Sequence, residues 1–530
     1  MTQETKMDSP LKDNGSTNLP RIIFGILFII LGIGVMVWMA LSIATDPAIL
    51  LSLDTSISES PEGPSFIMAF LIKFGIILPI LALVSGVALI WLGIKLFSGN
   101  ISAARWAQTI LFWLALTVLI ILIFNIVQIF TLTKTGGTET PTLGGNKILL
   151  FFSLLFVGMT LGGCALWLKR NVELYFHGNE VLKEKEVRFA WNLLIPSLAV
   201  LIFVAGRPLE QTFIRSLTDK RFAGQDVPKF VGFENYKNLL GVRFDAVDCR
   251  IIEETGDCKL NPDGSIQWET IDREALKEGF RTVWTIELPF TEETTGLSIS
   301  GLDRDFIQSI WTTLIFTVVS VFLELLIGMF IALVVNSNFK GRGAMRAVML
   351  VPWAIPTAIS AILWENMLKS TSSGIVNRIL LDLNIINEPL AWLAIQSLQL
   401  PSAIMVDVWK TAPFVALLLL AGLQNISEDL YEAASVDGAS GMQKFFSITL
   451  PLLRPTIAVA LVFRTLDALR VFDLFNVLFA RQQLTMATYN YEMLVGSQKD
   501  GYASAISIII FILISIFAFV YVRILDVETE

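Results

Sequence analysis

Charge is what this sequence has least of. Asp, Glu, Lys and Arg make up 16% of its 530 residues, against about 25% in an ordinary soluble domain. Hydrophobic residues make up 54%, and the mean hydropathy is +0.66. A chain this apolar cannot hide its surface in a water-soluble core, which places it among integral membrane proteins. Histidine is almost missing: His177 stands alone, beside three cysteines, Cys164, Cys249 and Cys258. That is too little to build a His/Cys metal centre, so no metal site is expected. No Walker A loop occurs either. The Gly-rich run from Gly136 to Lys147 lacks the Gly-Lys-Ser/Thr ending that grips a phosphate, so the chain is not expected to hydrolyse ATP itself. A net charge of -8 with a pI near 5.1 speaks against nucleic acid as a partner. A cleavable signal is also not expected: a polar tail to Pro20 precedes the run Ile22–Ile43, which is too long for a signal-peptide core and long enough to span a bilayer.

What is present is a series of long apolar runs. Lipid offers backbone groups no hydrogen-bond partner, so each run of about 20 residues predicts a membrane-crossing helix. Ten are predicted: 22–43, 66–94, 108–131, 148–168, 190–206, 307–335, 344–368, 400–424, 456–480 and 502–524. Lys and Arg near helix ends favour the cytoplasm. With the N-terminus inside, the cytoplasmic segments hold Lys95, Arg105, Lys169, Arg170, Lys340, Arg342, Lys444 and Arg523, among others, while the short outer loops hold little more than Lys134 and Lys147. Both termini are therefore expected in the cytoplasm. The resulting division is a cytoplasmic tail 1–20, an extension of four helices in 21–189, a further helix in 190–208, an extracytoplasmic insert 209–305, a helical body 306–525 and a second tail 526–530.

The insert is polar and acidic, with 19 Asp/Glu against 12 Lys/Arg, and its apolar residues are spaced well enough for a small folded module. Cys249 and Cys258 lie in it, on the oxidising side of the membrane. They read as a disulfide closing the turn around Glu253–Asp257, or else as two free thiols in a loop. Cys164, inside a predicted helix, reads as packing.

Between the eighth and ninth runs, Asn425 to Pro455 reads as a helix, a break and a second helix. Ser427 can cap the first, with Glu428 and Asp429 favourable in its first turn. Gly438 suits the left-handed exit, and Pro451 ends or kinks the second helix as it re-enters the membrane. Leu430, Ala433, Ala434 and Val436 keep one side of the first helix small and apolar, fit for a groove on a partner. Glu432-Ala433-Ala434, Asp437-Gly438-Ala439, Phe445, Ile448, Leu450-Pro451 and Pro455 resemble the EAA signature of permease subunits of bacterial ABC importers. Pro196 to Leu240, including Phe230 to Leu240, looks like the opening of sugar-importer permeases, and 305–525 like their body, including Val351 to Pro356, Asp407 to Lys410 and Ala468 to Asp473, with the larger subunits of maltose- and trehalose-type importers as the nearest resemblance. Two departures stand out: the four spans before residue 190, read as a peripheral scaffold, and Leu478-Phe-Ala-Arg-Gln-Gln, where such permeases usually carry a Gly-Gly-Pro turn.

The resemblance implies an all-α membrane protein of about ten helices, the last six forming a type I importer core around the loop 425–455. It implies alternating access without covalent chemistry: a permease that binds no cofactor itself, with ATP and Mg held by two cytoplasmic ATPase subunits. A second permease subunit would complete a heterodimer, and an extracytoplasmic sugar-binding protein would deliver the solute, all in membrane lipid. The loop residues Glu432, Ala433, Ala434, Asp437, Gly438, Ala439 and Pro451 would couple to the ATPase, with Glu432 in contact and Gly438 forming the turn.

Ionisable residues at membrane depth are costly and hence functional candidates. Glu324 sits mid-span; Asp407 and Lys410 share a helix face; Arg464, Asp467, Arg470 and Asp473 recur at threes along the ninth run, with Trp409, Phe472 and Phe475 close in sequence. A sugar needs hydrogen-bonding groups and a flat apolar face, so Asp407, Trp409, Asp467, Arg470, Phe472 and Asp473 form the candidate path. The same charges also read as structural pairs between helices, the reading that Glu324 favours. A polyol or glycerol phosphate is the alternative solute, and a membrane-embedded enzyme or a secondary transporter the remote alternative.

Overall fold

The computed structural model describes residues 19–46, 70–71, 73–132, 145–176, 182–223, 228–252, 257–261, 265–271, 273–287 and 295–524. The tail 526–530, most of the tail 1–20, the start of the run at 66, His177 and the turn 253–256 lie outside the described residues. The chain divides into two compact units, 1–211 and 212–530.

The first unit is built from helices α1 (Leu19–Ala44), α2 (Ile77–Phe97), α3 (Ile101–Leu132), α4 (Gly145–Tyr175) and α5 (Leu182–Ser216), the last passing through a π-helical turn at Leu201–Gly206. Glycine decides how α1 meets α2. A Cβ on Gly32 would stand 2.5 Å from the Gly86 carbonyl, and one on Gly93 would stand 2.7 Å from the Gly25 carbonyl. The two contacts are seven residues apart on each helix, so one small-residue stripe lets the antiparallel backbones touch, as membrane helices without a hydrophobic driving force between them require. Around this seam Phe24, Phe28, Leu92 and Leu96 join Ala104, Ala107, Leu111 and Leu168 in one core. Glu210 of α5 closes the exposed N-terminal end of α2, accepting from the amides of Ile76 and Ile77, while Arg207 binds the same carboxylate at 2.6 Å. A carboxylate on these orphan amides also favours the helix dipole. Gly75 makes this possible: it takes φ +67°, and a Cβ there would strike the Arg207 guanidinium.

The second unit begins with the insert: α6 (Glu234–Leu240), β1 (Val242–Asp248), α7 (Arg273–Lys277), β2 (Arg281–Glu287) and β3 (Thr295–Gly301). The strands form an antiparallel sheet in the order β1-β3-β2, the one sheet among the described residues. Cys249 and Cys258 are joined across 5.6 Å between their Cα atoms, next to the bridge Ile251–Cys258.

The helices that follow are α8 (Arg304–Asn336), α9 (Arg342–Ala354), α10 (Thr357–Met367), α11 (Ile375–Asp382), α12 (Gln396–Leu423), α13 (Glu428–Val436), α14 (Gly441–Ala468), α15 (Asp473–Leu478), α16 (Met486–Tyr491) and α17 (Asp500–Ile524). Asp303 caps α8, and its other oxygen accepts from Tyr489 and Tyr502 at 2.6 and 2.5 Å, so residues 303, 489 and 502 share one end of the bundle. At the opposite end Arg342 binds Asn338 at 2.7 Å, and Asn336, Gln424, Glu428 and Tyr431 line one cleft.

The α9–α10 pair starts at this second end. Its continuation reaches the start of α12, where Gln399 bonds Gln482 back at the first end. The pair therefore carries the chain across as one broken span, bent by 90°. The break falls where Pro356 follows Ile355: the ring disfavours a helical conformation in the residue before it, and Ile355 is extended at ψ 130°. With nine other helices long and apolar enough to span among the described residues, this makes up to ten spans.

The ninth predicted run, 456–480, does not stay helical. α14 ends at Ala468, Leu469 to Phe472 break away, and α15 starts at Asp473. The freed Val471 carbonyl is taken by the Thr485 hydroxyl at 2.9 Å, and Phe475 docks edge-on against Phe316 at 5.1 Å.

Candidate functional site

Two sites emerge from the second unit. The first is a cluster of charges between α8, α12 and α14. Arg464 sits at its centre, pinned by one helix and facing two others. Its Nε and Nη2 donate to Glu324 of α8 at 2.5 and 2.8 Å. Nη2 also reaches Asp407 of α12 at 3.2 Å, and Nη1 donates to Asp467, one turn along α14, at 2.7 Å. Thr411 Oγ1 lies 2.6 Å from Glu324 and 2.6 Å from the Asp407 carbonyl, so its single proton serves one of them at a time. Lys410 is buried beside them.

One guanidinium thus answers three carboxylates, and Lys410 and Arg470 are the other basic groups of the cluster. Burial is graded across it: Glu324 is 0% exposed and Asp407 8%, whereas the Asp467 side chain is 57% exposed and turns its second oxygen to Arg470 at 3.6 Å. In the inner half the Arg464 guanidinium and the Thr411 hydroxyl are engaged in tying three helices together. The outer half, Asp467 with Arg470, leaves both an acceptor and a donor exposed.

The six residues read as one path are therefore distributed. Asp407 and Asp467 meet on Arg464, and Arg470 joins through Asp467. Trp409 does not join them: positions two apart on a helix face opposite ways, and its ring packs edge-on against Trp364 at 5.5 Å on an apolar recess of 800 Å³ lined also by Leu323, Met349 and Pro352. Phe472 lies in the break and packs against Tyr491 at 5.3 Å. Asp473 is exposed in the first turn of α15. Arg464, Glu324 and Thr411, absent from that set, prove to be the centre. Two signals in the sequence point to them: Arg and Glu at mid-span, and a Thr one turn after Asp407.

The second site is the loop between α12 and α14. Ser427 caps α13, accepting from the Asp429 amide at 3.3 Å. Asp437 ends the helix, and Gly438 turns the chain at φ +78° with nothing within 4 Å of a built Cβ. Ser440 and Gln443 then cap α14 reciprocally. The α13–α14 angle is held by Tyr431 Oη against Thr449 Oγ1 at 2.9 Å and by Lys444 on the Ser435 hydroxyl. A π-helical turn at Phe445–Thr449 leads into Pro451, which sits in the first turn of the next α-helical stretch, where its missing amide costs nothing.

Glu432, Ala433, Asp437 and Gly438 are exposed, Ala434 and Ala439 half-buried. Val436 is 88% exposed, with Leu430, Met442 and Phe446 also uncovered. Apolar side chains exposed together on an N-capped helix pair form an uncovered patch of the kind that marks an interaction site. Beside it lies a polar cleft of 560 Å³ that Glu428, Glu432, Arg342 and Arg346 line with both charge signs.

Comparison with known proteins finds relatives of part of this chain. Residues 324–529 match the model of the binding-protein-dependent transport system inner membrane component. A trehalose/maltose transport system permease of Thermococcus litoralis is 46% identical over 227 residues, 42% of this chain and 75% of that protein. A trehalose transport system permease of Mycobacterium tuberculosis is 36% identical over the same length, 42% of this chain and 71% of its own. A sulfoquinovosyl glycerol transport system permease of Agrobacterium fabrum is 36% identical, covering 42% and 73%. Among solved structures, a bacterial ABC transporter for import of the acidic polysaccharide alginate aligns at a TM-score of 0.46 and 22% identity, over 65% of this chain and 98% of the other.

Proposed function

The chain belongs to the family of binding-protein-dependent transport system inner membrane components, and from that premise we propose that it is a permease subunit of an ATP-driven importer for a sugar of the maltose or trehalose type. It is a multi-pass transport subunit. In this reading, hydrolysis belongs to two separate ATPase subunits that hold ATP and Mg, and this chain supplies no cofactor site. A second permease subunit pairs with it, and a binding protein delivers the solute on the side of the insert. The Lys and Arg bias puts the α13–α14 loop and both termini in the cytoplasm.

The observation that carries the reading is the loop itself: a capped helix pair displaying Glu432 and Val436 with no other use for such a surface in water. A partner that closes on α13 pushes on α14, and the same helix carries Arg464, which grips α8 and α12. Movement at the loop is thereby conveyed to the place where three helices are pinned, the arrangement alternating access needs.

For the solute, Asp467 and Arg470 offer paired hydrogen-bonding groups without a net positive field, which suits a neutral polyhydroxyl compound. A polyol or glycerol phosphate is the second reading, favoured by the exposed Arg470. The test is ATPase activity of the assembled complex with its binding protein against a panel of solutes. Stimulation by an α-linked glucose disaccharide supports the sugar. Stimulation only by a phosphorylated polyol overturns it while keeping the importer.

A further inference from the structure

The sheet of the insert has two unlike faces. Odd positions of β1 point to a closed side, where Val247 packs with Ile271 and Ala275 under Trp268, and where a Cβ on Gly296 would meet the Trp268 ring at 2.7 Å. On the other side, side chains from three strands stand in rows fixed by the register. Phe244 pairs with Ile299, and Ile299 with Trp284; Ala246 pairs with Leu297, and Leu297 with Ile286. Directly opposed residues in an antiparallel ladder share a face, so these six form one apolar surface. Among the described residues nothing covers its far edge: Phe244 is 63% exposed, and Ile286 is also exposed.

This face is continuous with the membrane-embedded surface of α8. The Trp284 ring packs edge-on against Trp311 at 5.7 Å, and below Trp311 an exposed stripe runs down the helix through Ile315, Val318 and Phe322. α8 has 33 residues, about 50 Å at 1.5 Å per residue, against about 30 Å of hydrocarbon. Counting about 20 residues from its far end puts the hydrocarbon edge near Thr317, and Trp311 about 9 Å beyond it, in the headgroup layer where Trp is enriched. From that Trp pair the row reaches sideways two strand spacings, about 10 Å, to Phe244.

We propose that the apolar face of the insert sheet rests in the lipid headgroup layer, so that the insert is a peripheral membrane-surface module flanking α8 rather than a domain standing free in solvent. An amphipathic surface of this kind binds the interface through its buried apolar area, and here the adjoining span holds it at the right height. The proposal needs only that α8 crosses the bilayer, not which side the insert occupies.

The test uses the full chain in lipid nanodiscs on a Cys164→Ser background with the Cys249–Cys258 bond left intact. Phe244→Cys, Ala246→Cys and Ile286→Cys are labelled with an environment-sensitive fluorophore, alongside Glu287→Cys and Lys277→Cys, exposed positions on the opposite face and on the α7 helix that packs there. Lipids carrying a spin label near the headgroup should quench the first three severalfold more than the last two, with a blue-shifted emission. Aqueous iodide should show the reverse order. Equal quenching on both faces overturns the proposal. So does protection of the apolar face from iodide without quenching by lipid, in the chain alone or in the assembled complex, because that would put a protein on it.

Discussion

Replacing Arg464 with Gln would test whether the charge cluster is a pin. The guanidinium makes four charge-assisted hydrogen bonds, three of them to Glu324 and Asp407, which are 0% and 8% exposed. Removing one partner of a buried pair leaves the other charged and unsolvated, at a cost of about 3–5 kcal/mol. The fourth bond, to Asp467, is made by a side chain 57% exposed. Water solvates that carboxylate almost as well as the guanidinium does, so Asp467→Asn should cost about 0–1 kcal/mol. Two substitutions on either side of one 2.7 Å contact should therefore differ severalfold in stability. Transport should not follow stability in this way: Asp467→Asn should impair uptake while leaving the fold intact. The assay is reversible unfolding by SDS in mixed micelles, paired with solute uptake in proteoliposomes. A double-mutant cycle with Glu324→Gln should return about 0.5–3 kcal/mol of coupling, as groups in direct contact do. A loss under about 1 kcal/mol for Arg464→Gln, against the 3–5 kcal/mol expected, would refute the reasoning, as would an equal loss for Asp467→Asn.

Other consequences concern the rest of the chain. Glu432→Ala should abolish copurification of the proposed ATPase without affecting membrane insertion, and Gly438→Val should do the same by imposing about 1–3 kcal/mol of strain at φ +78°; unchanged uptake in both would sink the coupling assignment. Gly32→Leu should destabilise the first unit by about 1–3 kcal/mol, since its Cβ meets the Gly86 carbonyl, while Gly34→Leu, with nothing within 4 Å, serves as the silent control in the same SDS titration. Maleimide labelling of the unfolded chain should modify Cys164 alone before reduction and all three cysteines afterwards; three labelled thiols without reductant would show the pair free.

The helical runs were legible because lipid enforces them, and the loop because caps, Gly438 and Pro451 are local chemistry. What escaped the sequence depends on contacts between distant segments. Nothing local ends α14 after Ala468: Leu469-Arg-Val-Phe contains neither Gly nor Pro. The break is stabilised from elsewhere, by Thr485 on the Val471 carbonyl and by Phe475 docking on Phe316. A spacing of threes through Asp473 presumed a helix that stops before it. Asp407 and Trp409 looked like one acid-plus-aromatic set, yet two residues of helix place them on opposite surfaces. Arg464 was visible as a charge in an apolar run, but its central role follows from Glu324, 140 residues away in sequence. Gly25, Gly32, Gly86 and Gly93 carry no signal singly, and their meaning appears only when α1 is laid against α2.

The geometry makes a last demand on the link between loop and cluster. α14 runs from Gly441 to Ala468, so Arg464 stands about 35 Å along the helix from its first residue at 1.5 Å per residue. A helix transmits a push over that length only if its near end is fixed to the element pushed. Here that fixing is Tyr431 against Thr449, at 2.9 Å, and Lys444 on Ser435. Tyr431→Phe removes one hydroxyl bond, worth about 0.5–1.5 kcal/mol, and touches neither Glu432 nor the charge cluster. ATPase binding should therefore persist, and so should basal hydrolysis, while stimulation by loaded binding protein falls. Thr449→Val should behave alike, and the two together should do no more harm than either alone, because both delete the same contact. Additive losses, or a loss of ATPase binding, would show that α13 and α14 are not joined through this pair and that movement at the loop reaches Arg464 by another route.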